Sequence, residues 1–350
     1  MPRTDPSPLR AVTIADVARA AQVSPATVSR VLNGHPRVDP QLAERVHQAA
    51  AAANYVPNGV GRALRRQRSD MWAAIIPDVH NAFFTRVVEA FEGVANADGY
   101  SVVLCNSRED SAREQEYIAT AIAHQVSGVL LAPTSVNTSV AALERAGIPV
   151  VTIDRRVRDF SGDRVTVDGQ MIGQLAADHM VEQGCRAPLV VTGPSDVTST
   201  THREHGFLAT MAEMMIDVPE ERVLRADLLA EDAQQLVGEA LERFSEVDGV
   251  FAVNGPITSA TFLALRDHHR SVPEDVILVG VDDDHWTRMV TPAVTVVAQP
   301  VAQIGRWAGQ LLLARSRQPP LDYAKITLDP TLVVRQSSVR HPTKKKAEKQ

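Results

Sequence analysis

The chain has 350 residues and only two cysteines, Cys105 and Cys185, too few for a disulfide framework and without the spacing of a metal site. Both lie beside apolar, strand-like runs, so they read as reduced core residues of a cytosolic protein. No apolar run approaches membrane-spanning length. The opening MPRTDPSPLR is polar and proline-rich and lacks the apolar stretch of a secretory signal, so a cytoplasmic location is expected. Catalytic signatures are missing too. There is no GxGxxG after a strand, no Walker loop, no GxSxG elbow and no HExxH, which disfavours an enzyme and predicts no cofactor. The run Asp282-Asp283-Asp284-His285 resembles a metal site only at first sight. Consecutive side chains splay apart, and no partner cluster stands at ligand spacing, so no metal is expected.

Lysine is absent from the first 68 residues, which carry ten arginines against Asp5, Asp16, Asp39 and Glu44, a net of +6. The last ten residues carry +3, so a total of −6 leaves −15 on residues 69–340. A basic end on an acidic body reads as a DNA-contacting module on a body that DNA repels.

The stretch VTIADVARAAQVSPATVSRVLN, residues 12–33, reads as two short helices joined by a tight turn. Thr13 and Asp16 form a capping box, and Ile14, Val17, Ala18 and Ala21 repeat with helical spacing. Gln22-Val23 makes the turn. Ser24 caps a second helix that starts at Pro25, a residue well suited to the first helical position. Val28, Val31 and Leu32 face inward, leaving Ala26, Thr27, Ser29 and Arg30 outward. Small and hydroxylated residues allow close approach and phosphate contact, while Arg30 can pair with guanine through two hydrogen bonds. A third helix follows Asp39-Pro40, with Leu42, Val46, Ala49 and Ala53 as its expected buried stripe.

Next comes NYVPNGVGRALRR, residues 54–66. With the VSRVLN ending, the Tyr-x-Pro-Asn junction and a leucine on a short basic helix in order, residues 12–66 closely resemble the headpiece and hinge of the LacI/GalR transcription regulators. The resemblance implies that Pro25, Ala26 and Arg30 face bases, and that Thr27, Ser29 and Asn33 position the helix on phosphates. Thr13 and Asn58 join the DNA-binding set. Leu64 would wedge into the minor groove at a central CG step and kink the duplex. Gly59 and Gly61 depart from a good helix, each costing about 1 kcal/mol relative to alanine, so hinge order should depend on DNA.

From Met71 the pattern becomes short apolar runs alternating with amphipathic helices. WAAIIP, SVVLC, GVLLAP and IPVVTID read as buried parallel strands, with helices over 82–98, 111–125 and 137–146. A second set runs through RVTVD, helix 170–183, PLVVTG, helix 200–215, RVLRA, helix 231–244, DGVFAVN, helix 256–269 and VILVGVD. This alternation predicts two doubly wound α/β units, whose ligand sites lie at the carboxyl ends of the strands. Polar and aromatic residues gather there: Asp78, Asn81, Phe83 and Phe84 after the first strand, Asp154-Arg155 after IPVVT, then Arg203, Asn254, Asp282 and Gln299. Each has a plainer reading, as core for the phenylalanines, a surface ion pair for Asp154-Arg155, or a cap for Asn254 and Asp282. Their shared position favours a cleft suited to a polyhydroxylated ligand.

Residues 72–340 resemble the LacI/GalR effector domain, related to periplasmic sugar-binding proteins. In that family the positions of Asn81, Phe83, Phe84, Asp154, Arg155, Arg203, Asn254, Asp282 and Gln299 line the interdomain cleft, and the polar members favour a sugar over a purine. Asn254-Gly255 stands where Asn-Asp is common. The implied layout is an arm 1–10, an all-α helix-turn-helix headpiece 11–57 and a hinge 58–70. An N-subdomain (71–169 and 299–328) and a C-subdomain (170–298 and 329–340) follow, each a doubly wound parallel sheet, with a disordered basic tail 341–350. The chain would cross between subdomains three times. No apolar heptad follows Arg340, so a homodimer on a palindromic operator is expected. The sequence therefore points to a transcriptional regulator, a repressor of a carbohydrate-utilisation operon that responds to a sugar-like effector. The rivals are the same regulator answering a nucleobase or protein co-effector, and a sugar-binding transport component.

Overall fold

The computed structural model describes residues 12–32, 35, 38–55, 69–317 and 322–340. The chain divides into two compact units that meet at Ser69 and Asp70. In the first, α1 (Ile14–Ala20), α2 (Pro25–Leu32) and α3 (Pro40–Ala52) surround a small core of Val17, Ala18, Ala21, Val28, Val31, Val46 and Ala50. Asp16 accepts from the Thr13 N–H at 3.0 Å and from its hydroxyl at 2.7 Å. Helix α1 then stops because Gln22 turns left-handed at φ 55°, which lets the Val23 N–H return to the Ala18 carbonyl at 3.0 Å. Ser24 Oγ accepts from the Thr27 N–H at 3.1 Å, and Asp39 Oδ1 from the Leu42 N–H at 3.0 Å, starting α2 and α3. The buried row of α3 differs from the expected stripe. Val46 and Ala50 are buried, while Leu42, Ala49 and Ala53 are half-buried. Residues 49–53 are all alanine, so side-chain type could not mark which of them faces inward.

The second unit contains two six-stranded sheets. The first has the order β11-β5-β4-β3-β1-β2, formed by β1 (Met71–Ile76), β2 (Ser101–Asn106), β3 (Gly128–Leu131), β4 (Val150–Ile153), β5 (Asp163–Val167) and β11 (Lys325–Leu328). The second has the order β12-β10-β9-β8-β6-β7, from β6 (Pro188–Thr192), β7 (Val223–Arg225), β8 (Gly249–Ala252), β9 (Ile277–Val281), β10 (Thr295–Ala298) and β12 (Thr331–Val333). All pairings are parallel except β10 with β12. RVTVD, grouped by pattern with the second set, is a strand of the first sheet. The chain passes between sheets after β5, after β10 and after β11.

Helices α4 (Ala82–Ala97), α5 (Ser111–Ala123), α6 (Ala141–Arg145) and α12 (Val301–Arg317) serve the first sheet. Helices α7 (Gly169–Glu182), α8 (Thr198–Glu213), α9 (Ala233–Arg243), α10 (Gly255–Asp267) and α11 (His285–Met289) lie with the second. Two expectations change here. The helix expected over 137–146 is only one short turn, α6, because residues 134–137 form bends and turns and 138–140 are irregular. SVVLC is not a buried strand. As β2 it forms the sheet's edge, and Val103 and Leu104 stand 44% and 43% exposed.

The contact that positions the cleft is between α7 and α8. A Cβ on Gly173 would lie 2.1 Å from the Arg203 carbonyl oxygen, and one on Gly206 would lie 2.1 Å from that of Gln170. Only hydrogen side chains let the two backbones meet, and that approach holds Arg203 over the strand ends. Gly206→Ala should therefore destabilise the fold by about 1–3 kcal/mol through overpacking. Gly93→Ala on α4, where nothing lies within 4 Å, should be neutral or add up to about 1 kcal/mol. Urea unfolding of the two variants checks this, and equal midpoints would contradict the tight contact.

Candidate functional site

On the first unit, Thr13, Pro25, Ala26 and Arg30 are exposed, and Thr27 and Ser29 are half-buried. Thr27 Oγ1 lies 2.9 Å from Ser24 Oγ, so its hydroxyl already takes part in the cap. Val28 and Val31 on the opposite side of α2 are in the core. One helix thus presents a small, hydroxylated face with a single guanidinium and no bulky obstruction, the shape and chemistry a major groove accepts. Asn33, Asn58 and Leu64 lie outside the described residues.

In the second unit the two sheets are built alike, and equivalent strands end alike. β4 and β9 occupy the same place in their sheets, and each is followed by an aspartate in the left-handed region, Asp154 at φ 61° and Asp282 at φ 76°. The Asp154 N–H donates to Val165 O of β5 at 3.3 Å, and the Asp282 N–H to Val297 O of β10 at 3.1 Å. Such backbone is costly for a non-glycine residue, and the neighbouring strand fixes it.

All nine residues expected from sequence line a single narrow cleft. Arg155 is buried and forms two parallel hydrogen bonds of 2.7 Å to Glu109, with further bonds of 3.1 Å to the carbonyls of Pro133 and Thr134. Its Nε lies 3.4 Å from Asp154 Oδ2. Burial alone would lower its pKa, but Glu109, Asp154 and Glu114 outweigh that and hold it above the ordinary value. Arg203, from α8, reaches Asp154 Oδ1 at 3.3 Å, Gln299 Oε1 at 3.2 Å and Val253 O at 2.8 Å. Gln299 in turn donates to Asp282 Oδ1 at 2.8 Å, and Ser199 donates to Asp154 Oδ2 at 3.1 Å. The result is a continuous buried chain, Glu109–Arg155–Asp154–Arg203–Gln299–Asp282, that joins one sheet to the other.

Asn254 serves as a helix cap, as its plainer reading held, and so does Asn81. Asn81 Oδ1 accepts from the Phe83 N–H at 3.0 Å, and Asn254 Oδ1 from the Ile257 N–H at 2.8 Å. Each cap leaves the amide NH₂ to donate. Phe83 and Phe84 meet edge to face at 5.0 Å and belong to the core of the first sheet while lining the cleft. The Asp154-Arg155 pair is buried, not a surface pair. Gly255 opens α10, and a Cβ there would lie 3.4 Å from Asp284 Oδ2 and 3.5 Å from Asp282 Oδ2. Glycine thus spares the cleft a third carboxylate beside those two.

The cleft also holds Asp78, which its place after the first strand had indicated, and Glu109, Ser199, Thr200 and Leu228, which were not assigned to it from sequence. The same strand-end rule reaches Glu109, three residues past β2. Ser199 and Thr200 lie in the first turn of α8, where side-chain pattern carries no mark of a cleft.

These features define a helix-turn-helix DNA-binding regulator with a two-lobed ligand-binding body. Comparison with known proteins agrees. Residues 13–58 match the model of bacterial regulatory proteins of the lacI family, and residues 177–338 match a periplasmic binding protein-like domain. The chain is 34% identical to the ribose operon repressor of Halalkalibacterium halodurans over 93% of this chain and 97% of that one. Among solved structures it resembles a transcriptional regulator CelR–cellobiose complex, at 28% identity and TM-score 0.72 over 93% of this chain and 99% of that one. The lac repressor dimer bound to operator and an anti-inducer aligns at 23% identity and TM-score 0.83, covering 95% and 100%, which shows the shared fold. The chain belongs to the LacI family of transcription regulators. No helix among the described residues is long and apolar enough to cross a membrane.

Burial pushes the Asp282 carboxyl up to about 6, with Asp284 and Asp154 adding to the rise against Arg203 and Gln299. Between its ordinary value of 3.8 and about 6, the folded chain keeps a proton that the unfolded chain has lost. Asp282 therefore contributes stability at low pH that disappears as pH rises through 6. The stability of the protein minus that of Asp282→Asn should fall by about 1–2 kcal/mol between pH 5 and pH 8. Chemical denaturation at both pH values tests this, and a pH-independent difference would rule it out.

Proposed function

We propose that the protein is a dimeric repressor of a carbohydrate-utilisation operon, released from its operator when a neutral sugar occupies the cleft. The observation that carries this reading is the charge state of the cleft. Both guanidinium groups are engaged by carboxylates, and Asp78, Glu109, Asp154 and Asp282 outnumber Arg155 and Arg203. Such a site repels a phosphorylated ligand, yet offers carboxylate acceptors and amide and guanidinium donors to hydroxyls. Phe83 and Phe84 supply the apolar surface for C–H groups. A nucleobase is less well served, because those rings already pack against one another. The ribose operon repressors among the relatives favour a pentose.

In this reading Asn81, Phe83, Phe84, Asp154, Arg155, Arg203, Asn254, Asp282 and Gln299 contact the sugar. Pro25, Ala26 and Arg30 face bases, Thr13, Thr27, Ser29, Asn33 and Asn58 position the headpiece, and Leu64 wedges the minor groove. The headpiece is 11–57 and the hinge 58–70. One lobe is 71–169 with 299–328, the other 170–298 with 329–340. The protein is cytoplasmic and catalyses no reaction. A sugar releases DNA only to the extent that it binds the DNA-incompetent state better.

A thermal-shift series with D-ribose, other pentoses, hexoses, cellobiose, sugar phosphates and purines tests the ligand class. A cognate sugar at a hundredfold excess over Kd stabilises the native state by about 2.7 kcal/mol. Asp154→Asn, which tolerates the left-handed backbone, should abolish that shift while leaving operator affinity at fixed salt within about twofold. A purine hit with no sugar response would overturn the sugar assignment. Separately, Leu64→Ala should weaken operator binding by about tenfold or more and spare binding to non-operator DNA, since only the kinked site uses the wedge. Equal loss on both DNAs would refute the wedge role.

A further inference from the structure

A second cavity, of about 400 Å³, lies beside the sugar cleft and shares with it a wall made of Asp154, Ser199, Arg203 and Gln299. Its lining differs in kind. Arg156 enters it from just past β4, Thr166 and Thr327 from β5 and β11, and Thr198, His202 and Arg203 from α8. Arg156 is exposed, and among the described residues its guanidinium pairs with no carboxylate, although its own N–H donates to Thr198 Oγ1 at 2.9 Å. Neither of the two acids on the wall forms an ion pair with Arg156. Asp154 is held by Arg155 and Arg203, and Asp168 Oδ1 caps α7 by accepting from the Met171 N–H at 3.0 Å. Arg203, itself buried, has an Nε with no hydrogen-bond partner.

Arg203 is matched by Asp154, and Arg156 is left without a carboxylate partner, so its positive charge acts on the cavity. It shows in the neighbours: His202 is held below its ordinary pKa by burial and then by Arg156, His205 and Arg203, against the pull of Asp168. Arg164 is likewise lowered by burial and by Arg156. The amino end of α8, a sixteen-residue helix with no side-chain cap at Val197, adds its partial positive charge on the same side. Threonine hydroxyls at 166, 198 and 327 supply further polar contacts.

We infer that this cavity is a second effector site, which takes the phosphate group of a small molecule between Arg156, His202 and the first turn of α8. Because Arg156 and the β5 and β11 threonines belong to one lobe and α8 to the other, the phosphate bridges the two lobes and stabilises their closed arrangement. Coupling to the neighbouring sugar cleft through Asp154 and Arg203 is then reciprocal: each ligand changes the affinity of the other by the same factor. The acidic cleft and the cavity edged by Arg156 thus divide the labour between a neutral and an anionic ligand. This inference does not depend on which sugar the cleft takes.

Calorimetric titration of the full-length protein with inorganic phosphate and with ribose 5-phosphate, in a phosphate-free buffer of fixed ionic strength, tests the site. Saturable binding of one phosphate group per chain is expected, weakened about tenfold or more in Arg156→Gln. Tighter binding of the ester supports an organic phosphate, and equal binding supports the free ion in the same site. Arg156 is a surface side chain, so the variant should melt at the same temperature as the parent without phosphate and keep its operator affinity. His202→Gln should weaken phosphate binding in the same direction. Unchanged binding in Arg156→Gln, or heat reproduced by sodium chloride alone, would overturn the proposal.

Discussion

The body of this protein is organised around one constraint: two buried arginines, Arg155 and Arg203, must find carboxylates without leaving any charge alone. A buried charge deprived of its partner costs several kcal/mol, so the pairs set where the surrounding elements lie. Glu109 fixes Arg155 from the loop after β2, Asp154 stands between both guanidinium groups, and Gln299 relays Arg203 to Asp282. Members of this chain come from both sheets and from the segments that cross between them. In the arrangement seen here the network spans both lobes, so separating them would cost these bonds. That link between charge compensation and lobe position gives a ligand in the cleft leverage over the whole body.

The tight packing of α7 on α8 serves the same end. Gly173 and Gly206 allow backbone contact, which places Arg203 where it can span the lobes. The left-handed aspartates at the ends of β4 and β9 are its counterpart on the sheet side. Each lobe contributes a strained acidic residue from an equivalent strand, so the cleft reads as a duplicated loop design with different partners on each side. At the other end of the chain, the three helices around Val17, Val28 and Val46 need no such network. Their core is small and apolar, and caps at Thr13, Ser24 and Asp39 define where each helix starts.

Charge also separates the protein's binding tasks. The first 68 residues are strongly basic, the body is acidic, and within the body an acidic cleft lies against a cavity edged by Arg156 and His202. Neighbouring spaces that differ in their free charges sort ligands by charge as well as by shape. A neutral polyol suits the first space, and an anion suits the second.

How much of this was legible in the chain follows from the range of the forces involved. Caps, turn residues and apolar periodicity act over a few residues, so the helix-turn-helix, the strand–helix alternation and the strand-end location of Asp154, Asn254 and Asp282 stand in the sequence itself, whereas Arg203 reaches the cleft from inside α8. Where neighbouring residues are alike, as in the alanines of α3, local pattern carries no direction, and packing decided which of them is buried. Edge position cannot be read from an apolar run either, because it depends on strand order, so SVVLC emerged as a half-exposed edge and RVTVD joined the first sheet. Glu109 and Ser199 stand 45 or more residues away from Arg155 and Asp154 in the chain. No local signal links such pairs. Only the tertiary structure, by requiring every buried charge to have a partner, brought them to one cleft.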